Sequence, residues 1–297
     1  MLKLGSNWAT PGFESRTARE AMIQLLSPLT LQPPVWRGAS LPSVATDSSD
    51  AVFIADRLDD WMLPESSRYG GLLSKRAFNG RWDAFQSSVD ECALRFQAKA
   101  IRTSRGSPTL SLSLDKLLDA ATELPAPLSS QIHEDACSLI RIWESLCPTA
   151  EEFEVKLEIF GERMCARWHQ DHVVGRAIVS YTGDVGTEYT RPTNVNFREL
   201  NNGSDNHHII RDLNGVESAA VGDLLLIKGT KFPQQATALV HKSPEKRWQI
   251  APDDDGRNGR VLNRLVLKVD VFSAGPEQTC CDRPNCAAQA VRRALES

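Results

Sequence analysis

From residue 150 onward, apolar and polar positions alternate with period two. In EEFEVKLEIF, Phe153, Val155, Leu157 and Ile159 fall on one side and charged residues on the other, the pattern of a half-buried strand. RAIVSYTG, DLLLIKG, ATALVHKS and RLVLKVDVF read the same way, joined by turn-rich loops such as NVNFRELNNGSDNHH and PDDDGRNGR. No convincing helix interrupts them. Short strands at close spacing without crossover helices predict an antiparallel sandwich or barrel.

Before residue 150 the period is helical. Ser15–Leu29, Arg81–Ile101, LDKLLDAATEL and LSSQIHEDACSLIRIWESLC carry apolar residues at helix spacing; in the last, Ile132, Ala136, Leu139, Ile140 and Trp143 lie on one side. Segments rich in Pro, Ser and Gly separate these helices, and DAVFIADRLDDWM reads as a short strand followed by a helical turn. The expected organisation is α+β: a mainly helical region over 1–150, a β-rich core over 151–275 and a cysteine-bearing tail over 276–297.

Composition narrows the function classes. The chain has 297 residues, 34 basic and 38 acidic, for a formal net charge of -4. There is no global charge to draw nucleic acid or an anionic membrane, and no apolar run approaches a membrane-spanning length. An Arg-bearing start could be amphipathic, but it has no secretory h-region. Seven cysteines, an odd number spread over a long chain, argue for reduced thiols in a cytoplasmic setting.

The candidate chemistry sits in RWHQDHVVGR. On a strand, residues i and i+2 share a face, so His169 and Asp171 project together while His172 turns away. Two donors are too few for a metal, and His241, at the end of the later strand ALVHKSP, is the best third. Two histidines and one carboxylate with open positions form the facial triad of non-haem Fe(II) oxygenases. Arg264, opening the strand RLVLKVDVF, is placed to clamp a carboxylate, which in such an oxygenase is the far end of 2-oxoglutarate; Lys228 is a substitute. Arg264 could equally pair with Asp270, and a lone His-x-Asp is a weak signal. Ser180 and Tyr181 could bind a cosubstrate carboxylate or simply pack in the sheet. Cys165, four residues before His169, could add a soft ligand, and Glu188 could accept from a ligand histidine.

The stretch Cys165–Tyr189, CARWHQDHVVGRAIVSYTGDVGTEY, resembles the signature of the uncharacterised family called domain of unknown function 1826. The match runs through Cys165, Trp168, His169, Asp171, Val173, Arg176, Ser180, Tyr181, Gly186, Thr187, Glu188 and Tyr189, and continues in GDLLLIKGT, VHKSP and RLVLKVD. The resemblance covers roughly residues 150–272. It implies that His169, Asp171, His241 and Arg264 belong to one recurring constellation, with Arg176 near it, but it brings no reaction. Two departures stand out: GDVGTEY is a residue longer than usual, and EKRWQIAPDDDGRNGRVLN lengthens the path from His241 to Arg264.

Together these point to a helical N-terminal half packed on a double-stranded β-helix of the cupin or 2-oxoglutarate-oxygenase type. The functional expectation is an Fe(II)- and 2-oxoglutarate-dependent oxygenase acting on a small molecule or a protein. The alternative is a non-enzymatic protein holding zinc or another metal for storage, sensing or structure. His207-His208 lies in a polar loop where histidines are ordinarily solvated. The tail cysteines Cys280, Cys281 and Cys286 lack the paired Cys-x-x-Cys spacing of a zinc site.

Overall fold

The computed structural model describes residues 51–273, apart from 56, 77–82, 94–95, 122–123, 161–164, 234–235, 245–247, 250–259 and 262. The helix expected over 15–29 and the tail cysteines lie outside the described residues.

The alternating segments become strands: β4 (Ala150–Phe160), β5 (Gly175–Ser180), β8 (Leu224–Lys228), β9 (Val240–Lys242) and β12 (Arg264–Ser273). The region before 150 is not only helical. It supplies β1 (Val52–Ala55), β2 (Gly71–Ser74) and β3 (Lys99–Ser104) to the same seven-stranded sheet, ordered β1-β2-β8-β5-β12-β4-β3. VFIA is the short strand expected in DAVFIADRLDDWM, whereas GLLS is too short for its period to separate strand from helix.

A second sheet holds β6 (Glu188–Thr190), β7 (Val216–Ser218) and β9 in the order β7-β6-β9. An isolated antiparallel bridge, His169↔His241, adds the segment around His169 beyond β9. From residue 150 on, the chain therefore visits the large and small sheets in a palindromic order: large, small, large, small, small, large, small, large. All these pairings are antiparallel. The extra length before Arg264 contributes a separate pairing, β10 (Trp248–Gln249) with β11 (Arg260–Val261).

The helices α1 (Asp83–Cys92), α2 (Leu110–Asp119) and α3 (Ala126–Leu146) follow. The apolar stripe of α3, Leu128, Ile132, Ala136, Leu139, Ile140 and Trp143, is buried in one cluster with Phe153, Val155 and Leu157 of β4 and Leu265, Leu267, Val269 and Val271 of β12. Alternation thus gives one face of the large sheet to the helices. A Cβ at Gly175 would lie 2.2 Å from the Trp143 ring, so only glycine lets β5 and α3 approach this closely.

The other face of the large sheet meets the small one. Ile178, Leu225, Ile227 and Val266 cluster with Tyr189 and Leu239. The loop expected to be irregular instead forms α4 (Phe197–Asn202), ended by Gly203 in the left-handed region, and α5 (Asn206–Ile209). These pieces are too short to show a helical period, yet Leu200 and Ile209 pack with Trp168 and Val240 on the far side of the small sheet. No described helix is long and apolar enough to cross a membrane.

Candidate metal centre

His169 and His241 face each other across the bridge, and both backbone N–H groups donate to the opposite carbonyl at 3.0 Å. Directly opposed residues send their side chains to one face, and the two ring centroids are 4.4 Å apart. Asp171, two residues on, joins them: Nε2 of His169 lies 3.6 Å from its Oδ1, and Nε2 of His241 lies 3.5 Å from its Oδ2. Among the described residues this is the one group of His, Cys, Asp or Glu donors arranged to hold a metal ion, with ligand atoms all within 4.8 Å of one another.

The tautomers are fixed by the backbone. Nδ1 of His169 is 2.8 Å from the Arg167 carbonyl and Nδ1 of His241 is 3.1 Å from the Leu239 carbonyl. A carbonyl can only accept, so each Nδ1 donates, and in the neutral Nδ1–H tautomer this selects the lone pair lies on Nε2, facing the donor group. Burial pulls the His241 pKa down to about 4 despite the neighbouring Asp171, so the ring is neutral near pH 7. Burial alone would raise the pKa of Asp171, but the Arg176 guanidinium, helped by the two histidines, holds it well below the usual carboxylate range. Two imidazole Nε2 donors and one carboxylate suit a divalent first-row metal. His169 is the open side, with 32% of its side chain exposed against 0% for Asp171.

Arg176 is buried on β5. Its Nη1 donates to Asp171 Oδ1 at 2.9 Å, while Nε and Nη2 donate to the two carboxylate oxygens of Asp270 on β12. Asp270 therefore serves Arg176, not Arg264.

Arg264 is 7% exposed, yet among the described residues no carboxylate comes within ion-pair distance of it. It donates to Ser180 Oγ at 3.4 Å and to Ser243 Oγ at 3.0 Å, and its guanidinium carbon sits 5.4 Å from the Phe160 ring centroid. Burial draws its pKa down to about 10, against the more distant pull of Glu188 and Asp184, so it stays charged. Ser243 follows β9 directly, two residues beyond His241, and its hydroxyl turns to Arg264. The arginine and the three donors therefore share one interior. Gly183, at φ 101°, makes room for the arginine stem: a Cβ there would lie 2.6 Å from Arg264 Cγ.

Other candidates lie elsewhere. Tyr181 and Lys228 point to the helix-covered face. The Tyr181 hydroxyl donates to Asp135 at 2.6 Å, and Lys228 Nζ donates to the Ser66 and Ser67 carbonyls at 2.9 and 3.1 Å. Glu188 pairs with Lys242 on the outer face of the small sheet, and both histidines donate to backbone carbonyls instead. Cys165 is exposed and lies outside the three-donor group. His172 meets Thr230, and His207 and His208 are exposed with their rings in tilted contact, centroids 3.9 Å apart. Sequence reasoning missed Ser243, whose i+2 relation to His241 was the available signal. It also missed the link between Asp270 and Arg176, which only the β5–β12 register reveals.

A mixed α+β protein with a His-Asp-His group placed to hold a metal ion between its two sheets is what the fold and site define. The chain belongs to the family described as protein of unknown function (DUF1826), whose model matches residues 73–252. No curated protein matches it. Among solved structures it is similar to the dioxygenase for auxin oxidation 1 of Arabidopsis thaliana in complex with 2-oxoglutarate, at 10% identity over 77% of this chain and 94% of that one, TM-score 0.41. It is also similar to the rice dioxygenase for auxin oxidation, at 9% identity over 83% and 95%, TM-score 0.34. A third is a Pseudomonas putida prolyl-4-hydroxylase, at 13% identity over 73% and 97%, TM-score 0.34. Likeness at these scores leaves fold and chemistry to rest on this chain's own residues.

Proposed function

We propose that this protein is a non-haem Fe(II) oxygenase that uses 2-oxoglutarate, built on a double-stranded β-helix. The palindromic passage of the strands from residue 150 on, all paired antiparallel, between two sheets supports that fold. The reaction class rests on one observation: a buried arginine without an ionic partner among the described residues, hydrogen-bonded to Ser243, which lies two residues beyond the donor His241. A buried cation held only by hydroxyls and a ring face is costly unless an anion completes it. A short dicarboxylic acid fits, with one end at the metal and the other in the Arg264–Ser243–Ser180 pocket.

His169, Asp171 and His241 would hold the iron, which with 2-oxoglutarate supplies oxygen-activating chemistry. The chain's own work is to aim both Nε2 atoms at the metal through the Nδ1 hydrogen bonds, keep Asp171 ionised, anchor the distal carboxylate on Arg264 and leave the His169 side open to a substrate. The test is anaerobic loading with Fe(II) followed by 2-oxoglutarate. The expected result is a weak visible charge-transfer band in the parent and none in His169→Ala. Tight zinc binding that 2-oxoglutarate leaves unchanged would instead favour a non-enzymatic metal protein.

A further inference from the structure

We infer that Arg176 is a positioning residue that makes Asp171 a one-oxygen ligand, and that Asp270 holds Arg176 to this task. The inference rests on the metal centre proposed above.

The geometry carries it. A guanidinium is a rigid planar fork, and here its two ends do different things. Nε and Nη2 lock onto both oxygens of Asp270, which fixes the plane of the group. Nη1 then reaches Asp171 Oδ1 at 2.9 Å, and all three side chains are buried. A carboxylate on a metal can bind through one oxygen or chelate through both. With Oδ1 held by Nη1, chelation would have to break a charge-assisted hydrogen bond in a water-poor interior. The remaining oxygen, Oδ2, is the one on the His241 side, 3.5 Å from Nε2. The clamp thus leaves coordination positions that a chelating carboxylate would consume, and it ties the metal ligand to β12, the strand that Arg264 opens.

The arrangement is also asymmetric in a way that ordinary charge pairing does not require. Arg176 and Asp270 are opposed residues on neighbouring strands, and their two-bond pairing alone would satisfy both charges. The third bond, to Asp171, is directed at the metal donor. Lys156, 4.0 Å from Asp270 Oδ2 and also paired with Glu154, supports the Asp270 end from β4, so the clamp draws on three strands of the large sheet.

Co(II) titration of the full chain, followed by its visible ligand-field bands, tests this. The expected result is a saturable site in the parent. Arg176→Gln should bind Co(II) about 10–100-fold more weakly, the usual size of an outer-shell loss, with altered bands as the carboxylate becomes free to chelate. Arg176→Lys should regain part of the affinity, because the cation returns, but keep the altered bands, because an ammonium cannot fork. If Arg176→Gln does not fold, Asp270→Asn gives the reading: a smaller band change of the same kind, from a residue that touches no metal ligand. Parent-like affinity and bands in the readable variant would overturn the inference and leave the metal centre standing. A parent that takes up no Co(II) would overturn both.

Discussion

His169 and His241 are a directly hydrogen-bonded cross-strand pair, each carbonyl accepting the other's N–H at 3.0 Å. Residues 72 positions apart in sequence are thereby brought to one spot by backbone pairing, before any metal is considered. His241 is 2% exposed, whereas the His169 side chain is 32% exposed. Substitution to Ala should abolish stoichiometric metal uptake in both, a larger loss than the ~10–100-fold typical of outer-shell changes. His241→Ala should also lower stability by emptying a buried position. Metal content after dialysis and a urea melt, run on both variants, separate the two effects.

Arg264→Gln should leave metal uptake intact and weaken 2-oxoglutarate binding to the metal-loaded protein. Removing one partner of a buried charged pair costs about 2–5 kcal/mol, or roughly thirtyfold or more in Kd. Calorimetric titration of 2-oxoglutarate into parent and variant gives the answer; equal affinities would remove the arginine from the cosubstrate site.

Tyr181→Phe separates the helix-covered face from the interior. The hydroxyl donates to Asp135, which also takes two bonds from Arg76 and one from Gln131. Losing a hydrogen bond to a charged group should cost about 1.5–3 kcal/mol of stability. Affinity for 2-oxoglutarate should not change. A urea melt paired with the same titration checks both halves.

Lys228 gives a pH signature. Burial lowers its pKa from 10.5 to about 8, while two carbonyls and the Phe232 ring face it. Between those values the unfolded chain binds more protons than the folded one, so stability rises with pH. This contribution is fully present above about 10.5 and lost as pH falls through 8; its span is at most about 3 kcal/mol. Urea melts at pH 7 and pH 9.5 should show the gain in the parent and a smaller one in Lys228→Met.

The strands bearing the site were legible because alternation reports faces directly. RLVLKVDVF assigned Leu265, Leu267, Val269 and Val271 to one side and Arg264 and Asp270 to the other, and the helix-covered cluster contains the first four. His-x-Asp was legible for the same reason. Partner choice was not. Whether Asp270 meets Arg264 or Arg176 depends on register between β5 and β12, and Asp270 lies six positions along the strand from Arg264. Tyr181 and Lys228 were drawn toward the site by their chemistry, though strand parity already put each on the face opposite Ser180 and Ile227. The short helices after β6 escaped notice because four to six residues cannot display a period.

The missing carbon at Gly175 has a reach beyond its own turn of backbone. Arg176 is the next residue, so the indole of Trp143 presses on β5 one step from the side chain that holds Asp171. Anything that pushes strand and helix apart at that point displaces the root of the clamp. Bulk at position 175 is therefore tolerable only together with a smaller ring or aliphatic group at 143, and a pair changed in that compensating way should keep both the sheet and the metal donors in place.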